Sequence, residues 1–213
     1  PTIAPYFLPG LITAFARRYP HAEINVHEDT TVRLLAQIDN AEIDMALLSL
    51  PVEAPFLASQ TLFDDELLLA VPPGHRLAEA TEIGLSDLSG EDFILLKEGH
   101  CLSDQTEELC RKFASFCPRV VCRSAQMETV LAMIRSGLGV SLVPSMARES
   151  PSMGGLVLRA VKPELKRSIG LFWRRNRNHC LVARAFRECI ESSLPSPAPE
   201  RKGKTRSRLP VPA

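Results

Sequence analysis

Short apolar runs set between amphipathic helical stretches constrain this chain more than any other feature. Met45-Ala46-Leu47-Leu48-Ser49-Leu50 reads as a buried strand, and Leu67-Leu68-Leu69-Ala70-Val71, stopped by Pro72-Pro73-Gly74, reads as a second. Phe93-Ile94-Leu95-Leu96 makes a third. Around them, Leu8, Leu11, Ile12 and Phe15 recur at helical spacing, and Pro9 suits only an early turn. Residues 23–28 alternate as a strand, and 31–40 read as a helix with Leu34, Leu35 and Ile38 inward. A strand over 119–123 precedes Ser124, the expected cap of a helix over 125–136 that Gly137 ends. Strands at 140–143, 156–160 and 168–173 and a helix at 181–193 complete the pattern. Helix and strand alternate, the signature of a doubly wound α/β arrangement.

Composition limits the class without choosing within it. The chain has 213 residues, 45% of them hydrophobic, and its 25 Lys and Arg balance its 25 Asp and Glu. That is enough to bury one compact domain or two small subdomains. No apolar run reaches the roughly 18 residues of a spanning helix, so no membrane role is expected. A chain starting at Pro1, inside an element and with no secretory signal, is expected to be a fragment of a cytoplasmic protein. Six cysteines are too few for a disulfide scaffold at this length, so an oxidised pair would be regulatory rather than structural. Residues 195–213 hold five prolines and a charge of +5 against −1, the composition of a disordered tail. Basic charge there could touch nucleic acid, but a solvated terminus is the simpler expectation.

The candidate chemistry lies in Gly99-His100-Cys101-Leu102-Ser103-Asp104-Gln105, followed by Cys110 nine residues after Cys101. Asp104, Glu107 and Glu108 favour a helix starting near Ser103 and running past Cys110. Cys101 would then sit just ahead of a helix N-terminus, where partial positive charge stabilises a thiolate and His100 can share its proton. On one helix, nine residues span roughly 13.5 Å and put the two side chains on opposite faces. A disulfide needs Cα atoms within about 7 Å, so a Cys101 to Cys110 bond would require unwinding. The bland alternative is two buried, inert cysteines. Cys101, Cys110, Cys117 and Cys122 lack any Cys-x-x-Cys pair, so no metal is expected. Cys180 and Cys189 lie on a periodic helix and are expected to be buried as small apolar groups.

The run His100 to Gln105 with Cys110 resembles the redox loop of the peroxide-sensing LysR-type transcriptional regulators. Pro1-Thr2, Pro5-Tyr6-Phe7-Leu8-Pro9, His27-Glu28-Asp29-Thr30-Thr31 and Leu34-Leu35-Ala36-Gln37 fit the same family in order. So do Gly137-Leu138-Gly139-Val140-Ser141-Leu142-Val143-Pro144, Lys162-Pro163-Glu164 and Arg167-Ser168-Ile169-Gly170-Leu171. The resemblance covers residues 1 to about 193 and implies a periplasmic-binding-protein type II-like effector domain, two Rossmann-like subdomains flanking a cleft. Subdomain I would hold 1–63 and 168–194, and subdomain II, with the redox loop, 64–167.

By the same resemblance Cys101 is the peroxidatic cysteine and Cys110 the resolving one, while Thr2, Thr31, His100, Asp104 and Arg167 surround the thiol and bind peroxide. Cys117 and Cys122 are close enough in sequence to compete as resolvers. Taken singly, Thr31 is equally a helix cap, Asp104 a complement to the helix dipole and Arg167 a solvated side chain. Arg167 and Thr31 are accordingly expected to matter for oxidation rate more than for stability. Ser103 stands where the motif usually carries a basic residue. The implied protein is a regulator rather than an enzyme and needs no cofactor. Its implied partners are hydrogen peroxide, a second copy in a homodimer or homotetramer, DNA through an upstream winged helix-turn-helix, RNA polymerase, and a disulfide reductant such as glutaredoxin or thioredoxin. The nearest rival is a LysR-type regulator that binds a small metabolite in the cleft. A thiol peroxidase and a periplasmic solute-binding protein fit less well, the first for lack of a thioredoxin-like pattern and the second for lack of an export signal.

Overall fold

Two long antiparallel strands, β2 (Leu57–Val71) and β7 (Lys166–Arg174), run through the middle of the molecule. The structure, a computed structural model, describes residues 2–97, 99, 101–113, 118–175 and 180–194, the side chains of Cys110 and Arg111 excepted. β7 also pairs with β1 (Met45–Ser49), and β2 continues into pairing with β5 (Ser141–Pro144) and β6 (Val157–Arg159), all antiparallel. β3 (Asp92–Leu96) and β4 (Arg119–Ser124) form a parallel pair, joined to the approach to β5 by a parallel bridge between Phe93 and Val140. Five α-helices are described: α1 (Ala4–Arg18), α2 (Thr31–Asp39), α3 (Cys101–Lys112), α4 (Met127–Arg135) and α5 (Leu181–Ser192).

Alternation along β1 and β7 decides where the helices go. Ala46, Leu48 and Phe172 pack with Leu34 and Ile38 of α2 on one face. Met45, Leu47, Leu171 and Trp173 meet Leu11 of α1 and Ile190 of α5 on the other. In β2 the run from Leu67 to Val71 is buried at every position, which explains its unbroken apolar sequence. It shares the largest core cluster with β3, β5, Val130, Leu131 and Ile134 of α4, and Leu102 of α3.

Several expected boundaries move, each for a local reason. α1 runs straight through Pro9, whose missing N–H would have met Pro5; both prolines are exposed, so water can satisfy the freed carbonyl. Residues 23–28 form no strand. Ile24 is half-buried but Val26 is 47% exposed, so the alternating face has too little burial to hold it against the sheet. Ser124 does not cap α4, because its backbone pairs with Leu96 in the β3–β4 ladder; its hydroxyl accepts from Gln126 N at 3.2 Å, one turn ahead of the helix. α3 begins at Cys101 rather than near Ser103, since the Ser103 hydroxyl, buried within the helix, accepts from Arg123 Nη1 at 3.3 Å instead of capping. Residues 195–213, His100 and Cys117 lie outside the described residues.

Gly139 shows how tightly the β3 and β5 regions meet. Val140 N donates to Asp92 O at 2.8 Å, and a Cβ on Gly139 would stand 2.3 Å from that same carbonyl oxygen. Because the obstacle is backbone, Gly139→Ala is expected to destabilise the protein by about 1–3 kcal/mol, read as a lower urea midpoint at unchanged slope. An unchanged midpoint would mean that the two segments separate without cost.

Candidate functional site

The site grows from the register of β2 and β7. Asp65 and Arg167 are direct partners in that antiparallel ladder, so their side chains leave the sheet on the same face. Both are buried, with side-chain exposures of 2% and 0%. Arg167 Nε and Nη2 donate to Asp65 Oδ2 at 3.0 and 2.9 Å. Asp65 Oδ1 accepts in turn from Ser145 Oγ at 2.8 Å and Met146 N at 3.0 Å.

The guanidinium then reaches to the start of the chain. Its Nη1 donates to Thr2 Oγ1 at 2.8 Å and its Nη2 to the Thr2 carbonyl at 3.0 Å. Thr2 Oγ1 lies 4.0 Å from the sulfur of Cys101, a free thiol in the first turn of α3. Amides of a first helical turn have no intrahelical acceptor, so this end of α3 presents positive partial charge. α3 is held from its other side: Leu102 enters the core, Thr106 Oγ1 donates to Leu102 O at 2.8 Å, and Arg123 bonds both Ser103 and Glu107.

Cys101, Thr2, Thr31, Ser49 and Gly99 line one cavity of about 540 Å³, which continues between β1, α1, α5 and the extended segment 22–30. Gln105, one turn after Cys101, donates its amide to Ser49 Oγ at 2.7 Å, leaving its buried Oε1 with no partner. Tyr6 of α1 sits close enough to feel Glu128 and Arg167. Burial first and Glu128 second raise its phenol above the ordinary value, and Arg167 opposes them.

The expected site residues therefore divide. Thr2, Thr31 and Cys101 meet at the cavity, and Arg167 stands directly behind Thr2. Asp104 is exposed on α3 and does not line the cavity. His100 and the Cys110 side chain lie outside the described residues, although the Cys110 backbone belongs to α3. The picture of Arg167 as a solvated group with little weight in folding is corrected, because both charges of its pair are buried. Sequence reading assigned no role to Asp65, Ser49 or Gln105. The acidic run Asp64-Asp65-Glu66, immediately ahead of the apolar stretch 67–71 in the same strand, was the available signal for the first. Cys180 is also corrected: it is exposed at the N-cap of α5, its thiol accepting from Ala183 N at 3.4 Å, while Cys189 is half-buried. Cys122 is half-buried with its sulfur 3.5 Å from Met133 Sδ. Among the described residues no group of three or more His, Cys, Asp or Glu could hold a metal ion, and no helix is long and apolar enough to cross a membrane.

This fold and pattern match the LysR substrate binding domain over residues 1–195, and the chain belongs to that family. Among curated relatives, the hydrogen peroxide-inducible genes activator of Dickeya chrysanthemi is 37% identical over 176 residues, covering 82% of this chain and 57% of the relative. Thus the chain spans little more than half the length of that protein. A solved reduced form of OxyR is 32% identical with a TM-score of 0.77, covering 90% of this chain and 91% of that one. An H2O2-bound cysteine-to-serine variant of Corynebacterium glutamicum OxyR is 31% identical with a TM-score of 0.77, covering 90% of this chain and 62% of that one.

Removing one partner of a buried ion pair strands the other. Arg167→Met is therefore expected to lower unfolding free energy by about 3–5 kcal/mol, measured by urea denaturation. A loss below about 1 kcal/mol would place the pair among solvent-screened contacts.

Proposed function

We propose that this chain is the redox-sensing regulatory domain of a LysR-type transcription factor that responds to hydrogen peroxide. One observation carries the reading: the free Cys101 thiol stands in the first turn of α3, facing a cavity and 4.0 Å from a hydroxyl that a buried arginine holds. Similarity to peroxide-inducible activators and to OxyR structures supports it. Peroxide would bind beside Cys101 among Thr2, Thr31 and His100, with Arg167 acting through Thr2 and Asp104 left outside the cavity lining. The Cys101 thiolate attacks one peroxide oxygen, the O–O bond breaks, and the leaving hydroxide takes a proton to become water. Sulfur is oxidised to a sulfenic acid as peroxide is reduced. The Cys110 thiol then attacks that sulfur, and a second water leaves as the disulfide forms.

With Cys101 and Cys110 inside one helix, their Cα atoms stand roughly 13.5 Å apart, against the 7 Å or so a disulfide allows. Oxidation would therefore unwind α3. The division into 1–63 with 168–194 and 64–167 would let that change alter how two copies pair, and so how upstream winged helices meet DNA and RNA polymerase. A thiol reductant of the glutaredoxin or thioredoxin class would reset the disulfide in a reducing cytoplasm. The second reading is a metabolite-binding regulator, favoured by a cavity of about 540 Å³, which suits a small ligand.

Two measurements separate these readings. Cys101→Ser is expected to abolish the fast phase of peroxide consumption; an unchanged rate would sink the sensor reading and favour the metabolite. Amide exchange of the wild-type chain should rise within 101–112 on oxidation while 45–50 keeps its protection. In Cys110→Ser that change should vanish and a dimedone-trappable sulfenic acid should persist at Cys101. A disulfide formed with no exchange change in 101–112 would refute the unwinding.

A further inference from the structure

We infer that Asp65 is a positioning residue for the Cys101 site, acting through Arg167 to fix the Thr2 hydroxyl as a hydrogen-bond donor to a peroxide oxygen at the reacting sulfur. The inference rests on the peroxide reading above and deepens it. Its basis is the direction of each bond. A guanidinium only donates, so the contact from Arg167 Nη1 to Thr2 Oγ1 occupies a lone pair of the Thr2 oxygen and turns its proton away from the arginine. The sulfur of Cys101, 4.0 Å away, is the other described contact of that oxygen. A hydroxyl whose proton turns that way can donate to a peroxide oxygen bound against the sulfur and stabilise the charge that develops on it.

Arg167 holds this geometry only because Asp65 holds Arg167. One carboxylate oxygen takes both Nε and Nη2, which fixes the guanidinium plane and leaves Nη1 aimed at Thr2. The other oxygen is locked by Ser145 Oγ and Met146 N, from the turn that follows β5. Both oxygens of Asp65 are thus engaged, one on the arginine and the other on the groups that hold the carboxylate in place. With both side chains essentially without solvent exposure, no water can take over the task. Asp65 touches neither the sulfur nor the cavity, so it works by placement and not by contact.

A coupling measurement tests this, because a purely structural carboxylate would weaken the fold without sensing whether Thr2 carries a hydroxyl. Rates of Cys101 oxidation by peroxide and of its alkylation by iodoacetamide are measured on the purified chain, for wild type, Asp65→Asn, Thr2→Val and the double variant. Asp65→Asn is expected to slow the peroxide reaction by about tenfold or more while changing alkylation by less than about threefold. In the Thr2→Val background the same substitution should change the peroxide rate by less than about twofold, since the hydroxyl it positions is gone. Effects that multiply across the double variant, or peroxide and alkylation rates that fall together, would overturn the inference. Should Asp65→Asn fail to fold, Ser145→Ala loosens the same carboxylate and enters the same cycle, with a smaller peroxide defect expected and, again, none on Thr2→Val. A wild-type Cys101 no faster with peroxide than free cysteine would instead overturn the sensor reading, and this inference with it. A fast wild type with unaltered variants would overturn the inference alone.

Discussion

The buried ion pair between Asp65 and Arg167 is the constraint on which the rest of the site depends. Taking either charge out of water costs several kcal/mol, and attraction offsets that only when geometry and remaining hydrogen bonds are complete. Here they are: the carboxylate has Ser145 Oγ and Met146 N as well as the arginine, and the arginine has both oxygens of Thr2. The bonds draw together chain segments far apart in sequence, namely Thr2 ahead of α1, β2, β7 and the turn after β5. A wholly apolar core could hold those segments without fixing their angles. Hydrogen bonds fix angles, and a hydroxyl aimed at a thiol needs one.

Much of the fold is legible in the sequence because burial writes it there. Leu67 to Val71 has no polar face because both faces are covered, and Met45 to Ser49 alternates between two helix layers. What remained illegible turns on contacts between distant residues. Nothing in the sequence reports that Asp65 stands opposite Arg167, since that depends on a register that slips once between Thr61 and Phe63. The start of α3 depends on Arg123 claiming the Ser103 hydroxyl, and the loss of a cap at Ser124 on its pairing with Leu96. Propensity cannot foresee a side chain already engaged elsewhere.

The site was legible by motif more than by physics. Cys101 was singled out from a predicted helix start, and Thr2, Thr31 and Arg167 only through family resemblance. The structure brings three of these four to one cavity. Thr2 and Thr31 share the cavity with Cys101, and Arg167 reaches the thiol only through Thr2. Asp104 shows the limit of that route: it sits in the acidic first turn as the sequence suggests, yet exposed and away from the cavity lining.

Under the proposed function α3 would have to come apart for a disulfide to close, and its docking would then set the energetics of the switch. α3 is docked by buried Leu102, by buried Ser103 and Thr106, and by the Arg123 contacts to Ser103 and Glu107. Burial of one leucine is worth about 1.5–3 kcal/mol, and a partly exposed pair such as Arg123 with Glu107 about 1 kcal/mol or less. Undocking would then cost about 3 kcal/mol, borne by the proposed oxidised state. For a two-electron couple about 1.4 kcal/mol corresponds to about 30 mV, so the potential of the proposed disulfide would rise by about 60 mV relative to an unstrained pair. That direction makes the disulfide easier to reduce. Under the proposed function, the packing that holds Cys101 ready in the reduced protein is also what returns the oxidised protein to a thiol reductant's reach.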